Sequence, residues 1–309
     1  MKHYIALLLL VSVFLSGCMT VVPGTTQADT QPTQLTQPTQ PTKETVPSGW
    51  VTKAGKTYYY REGGKLHVGW LEEDGKRYYF DNMGVMQTGW FTLKDDTYYF
   101  QKDGSAATGK ITVDGMSYYF TSTGAQIILV NPWNMIPTDY KPTIKDIEDG
   151  YSIEKVCKEP LEQMLADCRA AGNEVSIVSG YRLHSTQITL YNRKVNFFLD
   201  EGMDPAEARK EAGKIVAMPG TSEHELGLAV DLVDAEYTDL DKAQEETETQ
   251  KWLMEHCWDY GFILRYPNGK SDKTGIIYEP WHYRYVGKEV AQELKGTGLC
   301  LEEYLESLS

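Results

Sequence analysis

From Gly49 to Gly124 the chain repeats itself every twenty residues, and that period limits the fold more than any other property of the sequence. Gly49-Trp50, Gly69-Trp70, Gly89-Trp90 and Gly109-Lys110 open successive units. Each unit runs into an aromatic cluster: Tyr58-Tyr59-Tyr60, Tyr78-Tyr79-Phe80, Tyr98-Tyr99-Phe100 and Tyr118-Tyr119-Phe120. A glycine follows each cluster, at Gly64, Gly84, Gly104 and Gly124. Twenty residues hold two short strands around a Gly-Lys or Asp-Gly turn, but such a hairpin buries too little surface to fold alone. The expectation for 49–128 is therefore an all-β solenoid of four hairpins, each stabilised by its neighbours. Trp50, Trp70 and Trp90 are either hairpin core or aromatics that meet a ligand.

The segment before the repeats has a different physics. Lys2 and His3 precede an apolar run from Tyr4 to Leu15, too short for a mature membrane span but suited to the apolar part of a signal peptide. It ends in Leu15-Ser16-Gly17-Cys18, which resembles the lipobox of bacterial lipoproteins. That resemblance implies a signal peptide over 1–17 and a lipidated Cys18 that anchors the chain to a membrane's outer face without crossing it. Residues 18–48 are dominated by Thr, Gln and Pro with little apolar content. Such a stretch buries too little surface to offset its ordering entropy, so a flexible tether is expected.

The formal net charge is -14, and residues 129–309, with 19 Lys+Arg against 33 Asp+Glu, carry an excess of that size by themselves. Nucleic acid is excluded as a partner, because phosphate binding needs a basic face. Besides Cys18 there are Cys157, Cys168, Cys257 and Cys300, with no Cys-x-x-Cys spacing. If Cys157 and Cys168 share a helix they lie roughly 16 Å apart, too far to bond. A Cys257–Cys300 disulfide stays open as an expectation for an exported chain.

After Gln126 the period stops, and 129–309 reads as an α+β domain. A helix is expected over Ser152–Ala171, ending at Gly172, then a strand over Glu174–Ser179 and a polar helical stretch over Ser185–Lys214. A second strand at Leu228–Val233, an acidic loop at Asp234–Glu248, a helix around Gln250–Tyr260, a turn-rich insert near Pro267–Gly275 and a strand over His282–Val286 complete the reading. The acidic loop lacks the Asp-x-Asp-x-Asp-Gly spacing of a calcium loop and is expected to be a solvated face.

Two segments of this domain carry the chemistry: Ser222-Glu-His-Glu-Leu-Gly-Leu-Ala-Val-Asp231 and Glu279-Pro-Trp-His282. A catalytic zinc needs three nitrogen or oxygen ligands, an open fourth position, and a base beside it. His224, Asp231 and His282 supply the ligands, and Glu279 is the spare carboxylate. Strand alternation turns Leu228, Val230 and Leu232 to the core and Asp231 to the site, and Gly227 permits the turn that brings His224 to the same ion. His224-Glu225 opens like a His-Glu-x-x-His helix, yet the fifth position is Leu228, so Glu225 is not expected to be the base. His184 is a weak candidate for the cleft wall, His256 beside Trp252 and Trp258 is expected to be structural, and Arg284 and Tyr285 to support or pack behind the metal.

The C-terminal domain resembles the VanY-type D-alanyl-D-alanine carboxypeptidases, zinc peptidases with the hedgehog/D,D-peptidase fold. The shared stretches are Ser179-Gly-Tyr-Arg182 with Gln187, Gly220-Thr-Ser-Glu-His224, Gly227-Leu-Ala-Val-Asp231, Gly261-Phe-Ile-Leu-Arg-Tyr266 and Glu279-Pro-Trp-His-Tyr-Arg-Tyr285. The resemblance implies an antiparallel sheet with helices, one Zn2+ on His224, Asp231 and His282, Glu279 as base, and Arg182 with Gln187 and Ser222 at the peptide's C-terminal end; a catalytic role for Arg182 in steadying the oxyanion is the alternative that stays open. It implies D,D-carboxypeptidase activity on peptidoglycan stem peptides. L,D-carboxypeptidase activity on tetrapeptide stems, cleavage of cross-bridges, or a non-catalytic wall-attachment role are the alternatives. The repeats resemble cell-wall-binding repeats, choline-binding modules among them, and so imply attachment to a wall polymer. The aromatic that commonly precedes the tyrosine pair in choline-binding repeats is replaced here by Thr57, Arg77, Thr97 and Ser117, which removes one wall of a cation cage.

Overall fold

Each twenty-residue unit forms one antiparallel hairpin: Gly49–Lys53 with Lys56–Arg61, Gly69–Glu73 with Lys76–Phe80, Gly89–Leu93 with Asp96–Phe100, and Gly109–Val113 with Met116–Phe120. The two-residue turns at Ala54-Gly55, Asp74-Gly75 and Asp114-Gly115 have positive φ at both positions, the geometry whose twist matches that of the flanking strands. The computed structural model describes residues 48–94 and 96–308. The expected signal peptide, Cys18 and all but the last residue of the expected tether lie outside them.

The tryptophans join one hairpin to the next. Trp50 has its ring 5.2 Å from Tyr59 in its own unit and 4.8 and 5.8 Å from Tyr78 and Phe80 in the following one. Trp70 repeats this with Tyr79, Tyr98 and Phe100 at 5.3, 5.0 and 5.8 Å, and Trp90 with Tyr99, Tyr118 and Phe120 at 5.0, 4.8 and 6.1 Å. Edge-on aromatic pairs of this kind contribute about 0.5–1.5 kcal/mol each beyond their buried area. Phe80, Phe100 and Phe120 are fully buried, so the third aromatic of the last three clusters is the core residue of the stack.

The fourth unit is built into the domain that follows. Tyr119 and Ile127 pack with Val290, Leu294, Leu301 and Leu305. The hydroxyls of Ser122 and Thr123 donate to the Glu289 carboxylate at 2.5 and 2.8 Å. Both parts belong to one compact unit.

The C-terminal domain is organised by a four-stranded antiparallel sheet in the order Val175–Ser179, Ala229–Asp234, Glu279–Tyr285, Phe262–Tyr266. Helix Lys155–Ala170 lies on its apolar face, burying Cys157, Leu161, Met164, Leu165 and Cys168 against Ile177, Val230, Leu232, Phe262 and Tyr283. As the alternation predicts, Val230 and Leu232 enter this core.

The structure adjusts the expected elements in three places. Ser152–Glu154 is a strand paired with Ile144–Asp146 rather than the first helical turn, because the Glu154 carboxylate caps the helix by accepting from Val156 N. The Ser185–Lys214 stretch is two helices, His184–Asp200 and Pro205–Ile215; Asp204 caps the second and Pro205 fixes its first turn. The terminal helices Lys288–Leu294 and Leu301–Ser307 and strand Phe262–Tyr266 complete the domain. All four described cysteines are buried free thiols, so the Cys257–Cys300 bond does not form. No helix among the described residues is long and apolar enough to cross a membrane.

Candidate active site

The sheet register brings the site together. Asp231 and His282 are direct partners on the two central strands, and Ser179 is the partner of Asp231 on the other side. Glu279 lies three residues before His282, a spacing that puts side chains on opposite faces of a regular strand. The ladder is irregular here: Leu264 pairs with Tyr283 and Tyr266 with Glu279, so two steps on one strand span four on the other. This bulge turns Glu279 back toward His282, with Oε2 3.8 Å from His282 Nδ1.

His224 comes from the short helix Glu223–Leu226, ended by Gly227 at φ 74°. A Cβ on Gly227 would also lie 2.9 Å from Ile144 Cδ1 and 3.1 Å from Glu154 N. Glycine is thus required both for the left-handed turn and for the close backbone approach. The turn delivers His224 Nε2 to 3.2 Å from Asp231 Oδ2, while His282 Nδ1 lies 3.1 Å from Asp231 Oδ1.

The outer nitrogens of both histidines face hydrogen-bond acceptors. His224 Nδ1 donates to Gly180 O at 2.9 Å, and His282 Nε2 faces Glu223 Oε2 at 3.4 Å. Those partners fix the tautomers and turn a lone pair from each ring inward. Donor atoms of His224, Asp231 and His282 all lie within 4.8 Å of one another, and all three residues are buried. Asp231 Oδ1 is buried and accepts no hydrogen bond, which is costly unless a cation meets it. Two imidazoles and a carboxylate are the three-ligand set that suits catalytic zinc.

Behind the histidines lies an ionic network that sequence reading does not find. Glu223 Oε1 accepts from Arg265 Nε and Arg284 Nη1, each at 2.7 Å. Arg265 in turn holds Glu302 with two bonds at 2.6 and 2.9 Å, and Asn131 donates to Glu302 at 3.0 Å. Arg265, Arg284 and Glu223 are almost wholly buried. Through Glu223, Arg284 is thereby linked to His282 of the buried cluster. The available signal was Arg265 itself, a charge inside the apolar strand Phe262-Ile-Leu-Arg-Tyr266, since a buried charge demands a partner.

These surroundings set the charges. Burial pushes the Glu279 carboxyl up to about 8, with the Asp231 and Glu223 carboxylates adding to the shift and His282 and Arg182 opposing it. Burial works against a charged His282, yet its contacts with Asp231 and Glu223 outweigh that and raise it to about 9. Burial lowers His224. Asp231 and Glu223 are held well below the usual carboxylate range: burial opposes this, but the histidines prevail at Asp231 and the two arginines at Glu223. A divalent cation held by His224, Asp231 and His282 would favour neutral His282 and the Glu279 carboxylate.

Arg182 borders this cluster. Its Nη1 donates to Gln187 Oε1 at 2.8 Å, its Nη2 to Ser179 Oγ at 2.7 Å, and its backbone N–H to His224 O at 3.0 Å. Gln187 is fully buried, and its amide nitrogen donates to Ala217 O at 2.6 Å. Both ends of Gln187 are thus engaged within the protein, which makes it a support for Arg182. Ser222 is buried at the start of the short helix without capping it. Glu225 accepts from Gly220 N–H at 2.8 Å and meets the exposed His184 at 2.6 Å, so it ties the Gly220 loop to the start of helix His184–Asp200. His256 lies against Trp252, ring centres 4.6 Å apart.

Comparisons with known proteins agree with this geometry. A family described as VanY, D-alanyl-D-alanine carboxypeptidase, matches residues 150–288, and a choline-binding repeat matches 67–110 and 87–128. A D-alanyl-D-alanine carboxypeptidase of Enterococcus faecalis is 40% identical over 182 residues, 59% of this chain and 66% of that protein. The chain thus spans about two thirds of that relative's length. A solved variant of the vancomycin resistance D,D-pentapeptidase VanY in complex with Zn(II) is 40% identical, covering 58% of this chain and 97% of that one, with a TM-score of 0.53. The LdcB LD-carboxypeptidase structure is 31% identical over 65% of this chain and 95% of that one, with a TM-score of 0.52. Fold, metal-binding cluster and similarity converge: the chain belongs to the VanY family of zinc-dependent D-alanyl-D-alanine carboxypeptidases.

Proposed function

We propose that this chain removes the C-terminal D-alanine from peptidoglycan stem peptides outside the cell, with the pentapeptide ending in D-Ala-D-Ala as substrate. The observation that carries the reading is the half-buried guanidinium of Arg182, held by Ser179 and Gln187 beside the His224, Asp231 and His282 cluster. An exopeptidase must recognise a free carboxylate, and arginine presents a planar fork for one. Burial lowers the Arg182 pKa, the carboxylates of Asp231, Glu279 and Glu225 oppose that, and a guanidinium stays charged throughout.

His224, Asp231 and His282 hold the zinc in this proposal. When bound, zinc supplies a Lewis acid that polarises the scissile carbonyl and makes a water acidic enough to attack it near neutral pH. Glu279 takes the proton of that attacking water on its carboxylate and delivers it to the departing amine of D-alanine. Arg182 and Ser222 hold the substrate's carboxyl end, and Gln187 holds Arg182. Glu223 keeps His282 turned so that Nδ1 faces inward.

The hairpin repeats attach the enzyme to a wall polymer, and the lipidated Cys18 with the Thr, Gln and Pro-rich tether places it at the outer face of the membrane. The repeat matches and the docking of the fourth repeat on the catalytic domain support the wall-attachment part. L,D-carboxypeptidase action on tetrapeptide stems is the second reading, favoured by the likeness to LdcB. Incubation of the zinc-loaded chain with defined pentapeptide and tetrapeptide stems, followed by mass analysis, tests both. Loss of one alanine from the pentapeptide is the expected result; loss from the tetrapeptide alone establishes the second reading, and loss from neither overturns both.

A further inference from the structure

The three junctions between repeats are built on the same aromatic plan, but one of them contains a charge. The position after the hairpin turn that carries Thr57, Thr97 and Ser117 in the other units carries Arg77 in the second. Its cross-strand partner is Glu72, where the other hairpins pair Thr52 with Thr57, Thr92 with Thr97 and Thr112 with Ser117. Arg77 does not extend into solvent. Its guanidinium carbon lies 4.3 Å from the centre of the Trp70 ring, its Nη1 donates to Thr123 O, and its Nε lies 3.3 Å from Glu72 Oε1.

The aromatic surroundings respond. Trp50 and Trp90 are 41% and 43% exposed, whereas Trp70 is only partly exposed. Tyr98, the tyrosine that Trp70 meets in the following unit, is buried, while the equivalent Tyr78 and Tyr118 remain partly exposed. A guanidinium over an indole face, with Nη1 donating to a carbonyl and a carboxylate oxygen 3.3 Å from Nε, is a cation–π site filled from within the chain. The positive charge there is covalently part of the chain, and its local concentration exceeds any that a free ligand reaches.

We propose that the cleft between the second and third repeats is occupied by the chain's own Arg77 guanidinium, which closes the Trp70 face to quaternary ammonium ligands. The junctions at Trp50 and Trp90 lack this internal cation. Arg77 also reaches the loop whose Ser122 and Thr123 hold Glu289 of the catalytic domain, so the occupied cleft is continuous with the joint between the two parts.

The test uses the full chain and the indole N–H resonances, with Trp70 assigned by Trp70→Phe. Tetramethylammonium chloride is titrated against a sodium chloride control in wild type, Arg77→Thr and Arg77→Lys. The Trp70 signal should stay unmoved in wild type and in Arg77→Lys, and should shift saturably in Arg77→Thr, which carries the residue found in the first and third repeats. A saturable Trp70 shift in wild type equal to that of Arg77→Thr would overturn the proposal. So would an Arg77→Thr protein, folded by its remaining indole signals, whose Trp70 is as unresponsive as wild type.

Discussion

The repeats and the catalytic domain are held together over different distances along the chain. In the repeats, the recurring aromatic pairs lie within one unit or between neighbours: Trp50 meets Tyr59 and Tyr78, and the same plan recurs at Trp70 and Trp90. In the catalytic domain, Glu223 is bound by Arg265 and Arg284, and Arg265 by Glu302, partners drawn from separate elements. The first design distributes stability over many similar contacts, so that a single loss stays local. The second concentrates it in a few buried charges, where one loss leaves others unpaired. Substitutions in the two regions should therefore differ in kind as well as in size.

The largest effect is expected at Glu279. Glu279→Gln keeps the shape and removes the base, so kcat on a pentapeptide stem should fall by about 100- to 10,000-fold. Zinc content measured on the purified protein should remain near that of wild type, because His224, Asp231 and His282 are untouched. Loss of zinc together with activity would instead make Glu279 a ligand.

Glu223→Ala attacks the network behind the ligands. It strands Arg265 and Arg284 without their shared carboxylate in a buried setting, which should cost about 3–5 kcal/mol in chemical denaturation. It also frees the His282 ring, and zinc affinity should weaken by roughly 10- to 100-fold. A near-neutral result would mean that water reaches the two arginines.

Removing the metal exposes a pH dependence of the same origin. The Glu279 carboxyl, pushed up from 4.5 to about 8, favours the folded state when protonated. Its contribution is complete below 4.5 and is lost as pH rises through about 8. His282, raised from 6.5 to about 9, loses its contribution in the same direction. In chelator, wild type should therefore lose stability relative to Glu279→Gln between about pH 5 and 9, by an amount on the order of a few kcal/mol. Zinc should narrow that gap, since a dication favours the carboxylate. Equal pH profiles for the two chelated proteins would show that Glu279 is solvated.

What was legible in the sequence follows the same division. A period of twenty residues, with Gly-Trp at each start, carries its own register, so the hairpins and their order could be read directly. Asp231 could be assigned a face because strand alternation is local, and His224 because Gly227 marks a turn. The pairing of Asp231 with His282 and the bulge that turns Glu279 depend on which strands are neighbours, and spacing alone does not contain that. Glu223 stayed unnoticed beside His224 because its partners lie 42 and 61 positions away. Gln187, expected at the substrate, also accepts from Arg182 and donates to Ala217 O, contacts that spacing in the sequence does not contain.

The smallest effect is expected where the repeat plan is most redundant. Trp90→Ala removes the contacts with Tyr99, Tyr118 and Phe120 at one junction. Because Trp90 is 43% exposed, the loss should be only about 1–3 kcal/mol, seen as early melting of the repeats by tyrosine and tryptophan fluorescence. Activity on a soluble stem peptide should be unchanged, since the four-stranded sheet and its ionic network contain no part of that junction. The fourth hairpin stays docked through Tyr119, Ile127 and the Glu289 contacts, and should resist melting with the catalytic domain. If Trp90→Ala instead lowers kcat, the two regions form one cooperative unit, and the contrast between local and concentrated stability fails at their joint.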